Sequence, residues 1–415
     1  MLSYRFLREN APWLLAGLLL AFGSNFGQTF FIALFGGEYR RELGLTDGEF
    51  GLLYTAATLA SAILLVNTGW IADRMPMRKL GALVLVGLAG VCLLMSQVQN
   101  IWVFGFAIFG LRYAGQGMLS HIEVTAIARW FVASRGRALA VASWGHPIGE
   151  GLLPPMVALL LTQMEWRTVW IVCAALIVFG LLPLYSLILK GERVPTGKET
   201  AGKTITGVGG KHWTRPEVMR HRVFWLLIPA LMASPMIGTA GLFHQAHIAE
   251  IHGWSQLQFT SGFTTYAVLS VVFSLLFGML LDRFSALAVL PFYLLPLVVG
   301  MLVLHQFDGL WVPHVFLGMI GASAGAGGAT SGAMWAELYG TKHLGSIRSL
   351  SMAAMVFSSA LGPGLTGLFI DWGVDFKTQS FVLALYVLAM GLWMFFLLRP
   401  LVRSQAQARA ASVVD

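Results

Sequence analysis

The chain has 415 residues, of which 57% are hydrophobic and 11% charged, under half of the roughly 25% charge found in soluble domains. With a mean hydropathy of +0.74, a water-soluble fold is excluded. The formal charge of +8 would suit a nucleic-acid binder, but its confinement to alternate connections between apolar blocks is explained better by orientation in a membrane.

In chain order the apolar blocks fall at about 12–35, 48–72, 80–97, 101–127, 136–162, 167–189, 222–248, 256–281, 286–304, 311–337, 344–371 and 379–398. Twelve blocks near the roughly 20-residue length of a spanning helix predict an all-α integral membrane protein. A β-barrel is excluded because the blocks are solidly apolar with scattered Gly and Ala, without period-two alternation. Arg5 and Arg8 precede the first block as they would a signal peptide, yet the block far exceeds an h-region of 7–15 residues, so a retained span is expected. Cys92 and Cys173 lie inside apolar blocks and read as small hydrophobes.

Basic residues gather at alternate connections: Arg5 and Arg8; Arg74, Arg78 and Lys79; Arg129, Arg135 and Arg137; the stretch from Lys190 to Arg222; Arg283; Lys342 and Arg348; and Arg399, Arg403 and Arg409. The opposite connections hold only Arg40, Arg41, Arg167 and Lys377. The positive-inside rule then predicts cytoplasmic termini in a multi-pass protein of the cell membrane, a bacterial inner membrane being expected. "TDGE" at 46–49 predicts a capping box at the start of the second helix.

The polar stretch 190–221 reads as a cytoplasmic linker between two six-helix bundles, 1–189 and 222–398, with a cytoplasmic tail at 399–415. The bundles repeat each other at an offset of 209 residues, which carries Gly69 to Gly278, Asp73 to Asp282, Arg74 to Arg283, Gly136 to Gly345 and Pro154 to Pro363. Parallel repeats of this kind occur in transporters whose substrate site lies at the midplane.

The motif between the second and third blocks, Gly69, Ile71, Asp73, Arg74, Arg78 and Lys79, resembles the Gly-x-Leu-x-Asp-Arg signature of the major facilitator superfamily, with Pro76 where that signature has its middle Gly. The second copy keeps Gly278, Leu280, Asp282 and Arg283 without the trailing basic pair. "LRYAGQG" at 111–117 resembles the fourth-helix Arg motif, and "ARWF…RGRALA" with "GPGLTGLFID" is similar to the monocarboxylate and oxalate/formate side of the superfamily. The resemblance implies twelve transmembrane helices in two pseudo-symmetric six-helix bundles, and assigns Asp73, Arg74, Arg78, Asp282 and Arg283 to a gating latch. A plain stop signal of solvated charges is the alternative at these positions. The basic residues that monocarboxylate and oxalate carriers hold in the eighth and eleventh helices are missing, since 256–281 and 349–370 contain no Arg or Lys.

Ionisable residues within the blocks cost about 2.5–3.5 kcal/mol at a helix centre and usually face a cavity or a partner. Arg112 and Glu150 lie at similar depth by their distance from the intervening loop, so an ion pair between them is expected, either functional or purely structural. His146 shares a face with Glu150, and Glu123 follows Arg112 by eleven residues, a spacing suited to a proton relay. Asn25 and Gln28 are candidate substrate contacts, with interhelical glue as the alternative. Pro235 and Gly238 predict a bent or broken seventh helix, and His244 and His247 near its end are candidates for proton shuttling or for plain hydrogen bonding. The Gly-rich run 318–332 lacks the Lys-Ser/Thr ending of a phosphate loop and predicts close helix packing.

These residues together predict a non-enzymatic secondary transporter moving a small solute by alternating access; the resemblance to the monocarboxylate and oxalate/formate side implies an organic anion as one candidate cargo, against which stands the absence of those carriers' basic residues. The proton is the expected coupling ion and the lipid bilayer the expected surroundings. No cofactor, metal or nucleic acid is implied, and a monomer is expected. A multidrug or metabolite efflux antiporter is the nearest alternative, and a non-transporting receptor or scaffold the alternative of another class.

Overall fold

Two capping boxes 209 residues apart open equivalent helices. Thr46 Oγ1 accepts from Glu49 N at 3.1 Å while Glu49 accepts from Thr46 N at 2.9 Å, and Ser255 Oγ accepts from Gln258 N at 3.2 Å while Gln258 accepts from Ser255 N at 2.8 Å. Each box satisfies backbone donors that a helix start otherwise leaves unpaired. Two residues before each cap stands a glycine in the left-handed region, Gly44 at φ 65 and Gly253 at φ 68, where a side chain would be strained. The internal repeat is thus written in backbone geometry as well as in sequence.

The computed structural model describes residues 4–131, 134–191, 193 and 206–414, with side chains up to 403. Residues 192 and 194–205 of the expected linker, Asp415 and the side chains of 404–414 in the expected tail lie outside the described residues. Among the described residues there is no strand. The helices of the first half are α1 (Tyr4–Ser24), α2 (Thr29–Ala33), α3 (Gly36–Leu43), α4 (Asp47–Thr68), α5 (Ile71–Arg74), α6 (Met77–Ser96), α7 (Ile101–Leu111), α8 (Ser120–Trp130), α9 (Arg135–Ala142), α10 (Gly145–Leu161), α11 (Trp166–Ala175) and α12 (Leu182–Ile188). Those of the second half are α13 (Arg215–Arg220), α14 (Arg222–Phe243), α15 (Gln245–Ile251), α16 (Gln256–Arg283), α17 (Ala286–Val289), α18 (Leu295–Gln306), α19 (Val312–Tyr339), α20 (Leu344–Asp371) and α21 (Phe376–Val414).

Nine helical stretches among the described residues are long and apolar enough to cross a membrane. The other three expected blocks are also helical. The block at 101–127 changes to a π-helix over Arg112–Leu119 between α7 and α8. The block at 136–162 is interrupted between α9 and α10, at Ser143 and Trp144. The third, α19, is a single helix whose many Gly and Ser residues lower its hydropathy.

The chain packs as two units. One comprises Met1–Thr200, Leu242–His247 and Pro363–Asp371, the other Ala201–Gly241, Ile248–Gly362 and Trp372–Asp415. Within the first, α4 packs on α7, α6 on α11, and α1 on α8 and α10. Within the second, the equivalent pairs recur as α16 on α19 and α18 on α21. The Gly-rich run of α19 provides the close approach expected of it: a Cβ at Gly321 or Gly325 would strike the carbonyl oxygens of Tyr266 and Ser270 on α16. Small residues let backbones touch where lipid offers no hydrophobic drive between helices.

The irregular backbone near the middle of the first unit is specific. A 3-10 turn, Asn25–Gly27, and the extended Gln28 (φ −76, ψ 154) separate α1 from α2, and the π-helix of Arg112–Leu119 lies against this break. Gly27 has no room for a Cβ because Leu111 O and Gly115 press on it. In the second half the equivalent of the π-helix falls within the regular α19. There α14 also runs as helix through Pro229, Pro235 and Gly238. The helix expected to be bent or broken at Pro235 and Gly238 has no break there; it is interrupted at His244, between α14 and α15. Proline removes one rung of the helical ladder, and side chains of neighbouring helices can take up exposed carbonyls; near Pro235, Ser358 Oγ donates to Met232 O at 2.6 Å.

Candidate functional site

The helix break in α1–α2 leaves carbonyl oxygens without helical donors, and Arg112 meets one of them. Its Nη1 donates to Gly27 O at 3.1 Å and lies 3.5 Å from Thr29 Oγ1, while the guanidinium sits over the Tyr54 ring, 5.2 Å from its centroid. Thr29 Oγ1 and Tyr54 OH share a 2.5 Å hydrogen bond. Arg112 is 4% exposed, its Nε has no partner, and among the described residues it forms no ion pair. The expected pair with Glu150 is therefore absent. Equal depth along two helices does not fix the direction in which the side chains point, and the π-segment turns Arg112 toward the break.

Farther along the same helical stripe are Gln116, Ser120 and Glu123. Gln116 Oε1, Ser120 Oγ and Glu123 Oε1 are buried without partners, as is Asn25 Oδ1. Buried polar atoms are normally paired, so a run of such atoms along one stripe marks a place where water or a ligand completes the bonding. Gln116 and Ser120 escape the sequence argument, which follows charge; their spacing of four and eight residues after Arg112 is the signal that marks them.

Glu123 is 1% exposed, and its Oε2 lies 3.6 Å from His146 Nε2. His146 Nδ1 in turn lies 3.2 Å from Ser24 Oγ at the end of α1. Glu150, half-buried, follows His146 by four residues on α10. The structure thus brings Glu123 and His146 together, with Glu150 on the same helical face as the histidine. Asn25 spends its amide nitrogen on Ala21 O, Phe22 O and Gly145 O, a tie between α1 and α10. Gln28 is half-buried at the extended residue of the break.

A second polar cluster lies at the connection between the first and second helical blocks. Asp47 is ion-paired with Arg40; its Oδ1 is 3.5 Å from His244 Nδ1 and its Oδ2 3.9 Å from His247 Nδ1. His244 Nε2 also reaches Pro363 O at 3.0 Å. Asp371 Oδ2 accepts from Thr46 Oγ1 at 2.7 Å and from Gly48 N at 3.1 Å, placing a carboxylate at the N-terminus of α4 where the helix dipole favours it. Asp47 meets His244 and His247, and Asp371 meets Thr46 and Gly48, through contacts between residues distant in sequence.

The residues of the paired Gly-x-x-x-Asp-Arg motifs are exposed: Asp73, Arg74 and Arg78 in the first copy, Asp282 and Arg283 in the second. Arg74 lies 4.5 Å over Trp70 and Arg283 5.6 Å over Phe284. Among the described residues neither aspartate forms an ion pair. Beside the second copy, Glu337 accepts from Ser285 Oγ at 2.5 Å and from Ala286 N at 2.8 Å, holding the start of α17.

Comparison with known proteins shows the family and the fold. The sequence matches the Major Facilitator Superfamily over residues 17–245 and 234–413. It is 26% identical over 196 residues to a probable sulfoacetate transporter of Cupriavidus necator, covering 45% of this chain and 43% of that protein. It is 25% identical over 254 residues to a probable L-galactonate transporter of Escherichia coli, covering 58% and 52%, so the chain spans about half the length of these two relatives. An uncharacterized MFS-type transporter of Bacillus subtilis is 24% identical over 327 residues, 75% of this chain and 77% of that protein. Among solved structures, a bacterial homolog of the human lysosomal transporter Spinster, inward-facing and unoccupied, superposes with a TM-score of 0.68 at 15% identity, covering 94% of this chain and 97% of that one. The nucleoside transporter NupG gives 0.69 at 12% identity, covering 93% and 98%; both likenesses concern the fold. With family matches over both halves and the fold to go with them, the chain belongs to the Major Facilitator Superfamily and is a multi-pass membrane protein.

Proposed function

We propose that the chain is a secondary transporter of a small organic anion, driven by a proton gradient and working by alternating access. The observation that carries this reading is Arg112: a buried guanidinium with an unpartnered Nε and no carboxylate paired with it among the described residues. Burying a cation in a membrane span is costly, and an arriving carboxylate or sulfonate would supply the missing partner through charge-assisted hydrogen bonds. The probable sulfoacetate and L-galactonate transporters among the relatives support an anionic cargo and the organic-anion side of the superfamily.

In this reading Glu123 and His146 exchange the coupling proton, with Glu150 behind them, while Gln28, Gln116 and Ser120 bond the cargo or its water. Asp73, Arg74 and Arg78, with Asp282 and Arg283, form a latch engaged in another state of the cycle, and bending at Pro235 and Gly238 accompanies the change of state. Both termini and the 190–221 linker are cytoplasmic, so the Asp47 cluster faces outward; the protein works as a monomer.

The test is uptake of radiolabelled sulfoacetate, L-galactonate and related hydroxy acids into proteoliposomes with and without an imposed pH gradient. Gradient-dependent anion uptake is expected. Uptake that ignores the gradient would remove proton coupling, and transport of neutral solutes alone would remove the anion.

A further inference from the structure

Tyr54 touches Arg112 on one side and, on the other, Phe243, the neighbour of the Asp47 cluster. It is fully buried. Its hydroxyl pairs with Thr29 Oγ1, and its ring lies beneath Arg112 at 5.2 Å and against the Phe243 ring at 4.8 Å. Phe243 is the last residue of α14; its ring packs 4.5 Å from Phe50 and 5.1 Å from His244. His244 occupies the interruption before α15 and contacts Asp47. A continuous set of side chains therefore runs from Arg112 through Tyr54 and Phe243 to His244 and Asp47, every link within one packed unit.

We propose that Tyr54 is a positioning residue through which occupancy of the Arg112 seat sets whether the Asp47 cluster is closed. This inference rests on the reading of Arg112 as the anion seat. With the seat empty, the guanidinium attracts the face of the Tyr54 ring, and the ring in turn buttresses Phe243 beside the helix interruption. An anion bound at the guanidinium offsets its charge and weakens that attraction. Tyr54 is then freer to shift, Phe243 loses its support, and the one-residue interruption at His244 between α14 and α15 takes up the change. A ligand can drive such a change only by interacting differently with the two states; here the difference lies in the strength of the Arg112–Tyr54 contact.

The reporter is a cysteine at Ala246, half-buried on α15, where a Cβ at Gly37 would stand 3.9 Å away across the cluster. In a background with Cys92→Ala and Cys173→Ala, the rate of labelling of Ala246→Cys by a membrane-impermeant maleimide measures opening of the cluster in the full-length protein. Arg112→Met, which removes the cation without needing a known substrate, should speed labelling by about fivefold, the lower end of ordinary coupling between sites. Tyr54→Phe, which keeps the ring, should preserve that response, whereas Tyr54→Leu should abolish it. If Tyr54→Leu does not reach the membrane, Phe243→Leu cuts the same set of contacts and should abolish the response equally. An equal response to Arg112→Met with and without the Tyr54 ring, or with and without the Phe243 ring, would overturn the inference. So would an unchanged labelling rate in an Arg112→Met protein that has lost uptake, which would leave the anion seat standing. Intact anion uptake in Arg112→Met would instead reject the seat itself.

Discussion

Glu123 Oε2 lies 3.6 Å from His146 Nε2, and the other carboxylate oxygen, Oε1, is buried without a partner. A carboxylate held by one titratable neighbour and otherwise unsatisfied is well placed to take and release a proton during a transport cycle. Glu123→Gln keeps size and hydrogen bonding but cannot ionise. Expected is loss of gradient-driven accumulation with anion exchange retained, read by comparing net uptake with counterflow. Equal loss of both, with normal folding, would assign Glu123 to cargo binding.

Asp47 joins Arg40, His244 and His247. Asp47→Asn removes the ion pair with Arg40 and the negative charge facing His244 and His247 while preserving shape. It should raise impermeant-maleimide labelling at Ala246→Cys several-fold and slow turnover, because one conformational state loses stabilisation that the other does not share. Unchanged labelling would reduce the cluster to a packing role.

Asp73 is exposed and unpaired among the described residues. Asp73→Asn is therefore expected to leave thermal stability within about 0.5 kcal/mol, as exposed substitutions usually do, yet to slow transport by removing a contact made in another state of the cycle. Melting curves and uptake rates measured on the same preparation separate the two effects, and a large loss of stability would contradict the latch reading.

A loop clamp in the second unit gives a pH dependence. Asp308 accepts from His252 Nδ1 at 2.7 Å and from Lys377 Nζ at 2.5 Å, and Trp254 stacks on His252 at 4.3 Å. The Lys377 hydrogen bond, with His252 adding to it, holds the Asp308 carboxyl below its usual range. Burial pushes the His252 imidazole down, against the opposing effect of the hydrogen bond it donates to Asp308. Both groups bind protons more readily when unfolded, so their stabilising contribution is present at neutral pH. It falls first as pH drops below about 6.5, the unfolded histidine value, and again below about 4, that of the unfolded aspartate. The midpoint of thermal unfolding should fall between pH 7.5 and pH 5, with a shallower fall in His252→Gln; equal slopes would exclude His252 as the source.

The fold was legible because its signals are local and repeated. Apolar block length, the 209-residue offset, the boxes at Thr46 and Ser255 and the left-handed Gly44 and Gly253 are all properties of short segments. The site was legible only in its residue types. Sequence depth brought Arg112 level with Glu150 but carried no direction, whereas the π-helix and the break at Asn25–Gln28 meet at the close approach of Gly27 to Gly115, a contact between segments far apart in the chain. Asp47 reads in sequence as the middle of a capping box; its partners His244 and His247 come from the other half of the sequence, beyond the reach of periodicity or spacing.

Removing Arg112 should also separate stability from function. No carboxylate depends on it among the described residues, so Arg112→Met is not expected to strand a buried charge. Replacing a buried cation by an apolar side chain of similar length relieves the cost of holding the charge within a membrane span, against the loss of the hydrogen bond to Gly27 O. An unfolding midpoint at or above that of the parent protein is expected, and a strong loss of stability would show that the cation is structural.

The decisive measurement is uptake by the parent protein and Arg112→Met, side by side in proteoliposomes, of a radiolabelled panel holding sulfoacetate, L-galactonate, related hydroxy acids and a neutral nucleoside as control. The parent is expected to accumulate at least one anion under an inward proton gradient and to ignore the nucleoside, while Arg112→Met, folded and inserted, accumulates none. Anion uptake by Arg112→Met equal to that of the parent, or uptake of the neutral nucleoside alone, would contradict Arg112 as the seat of the transported anion.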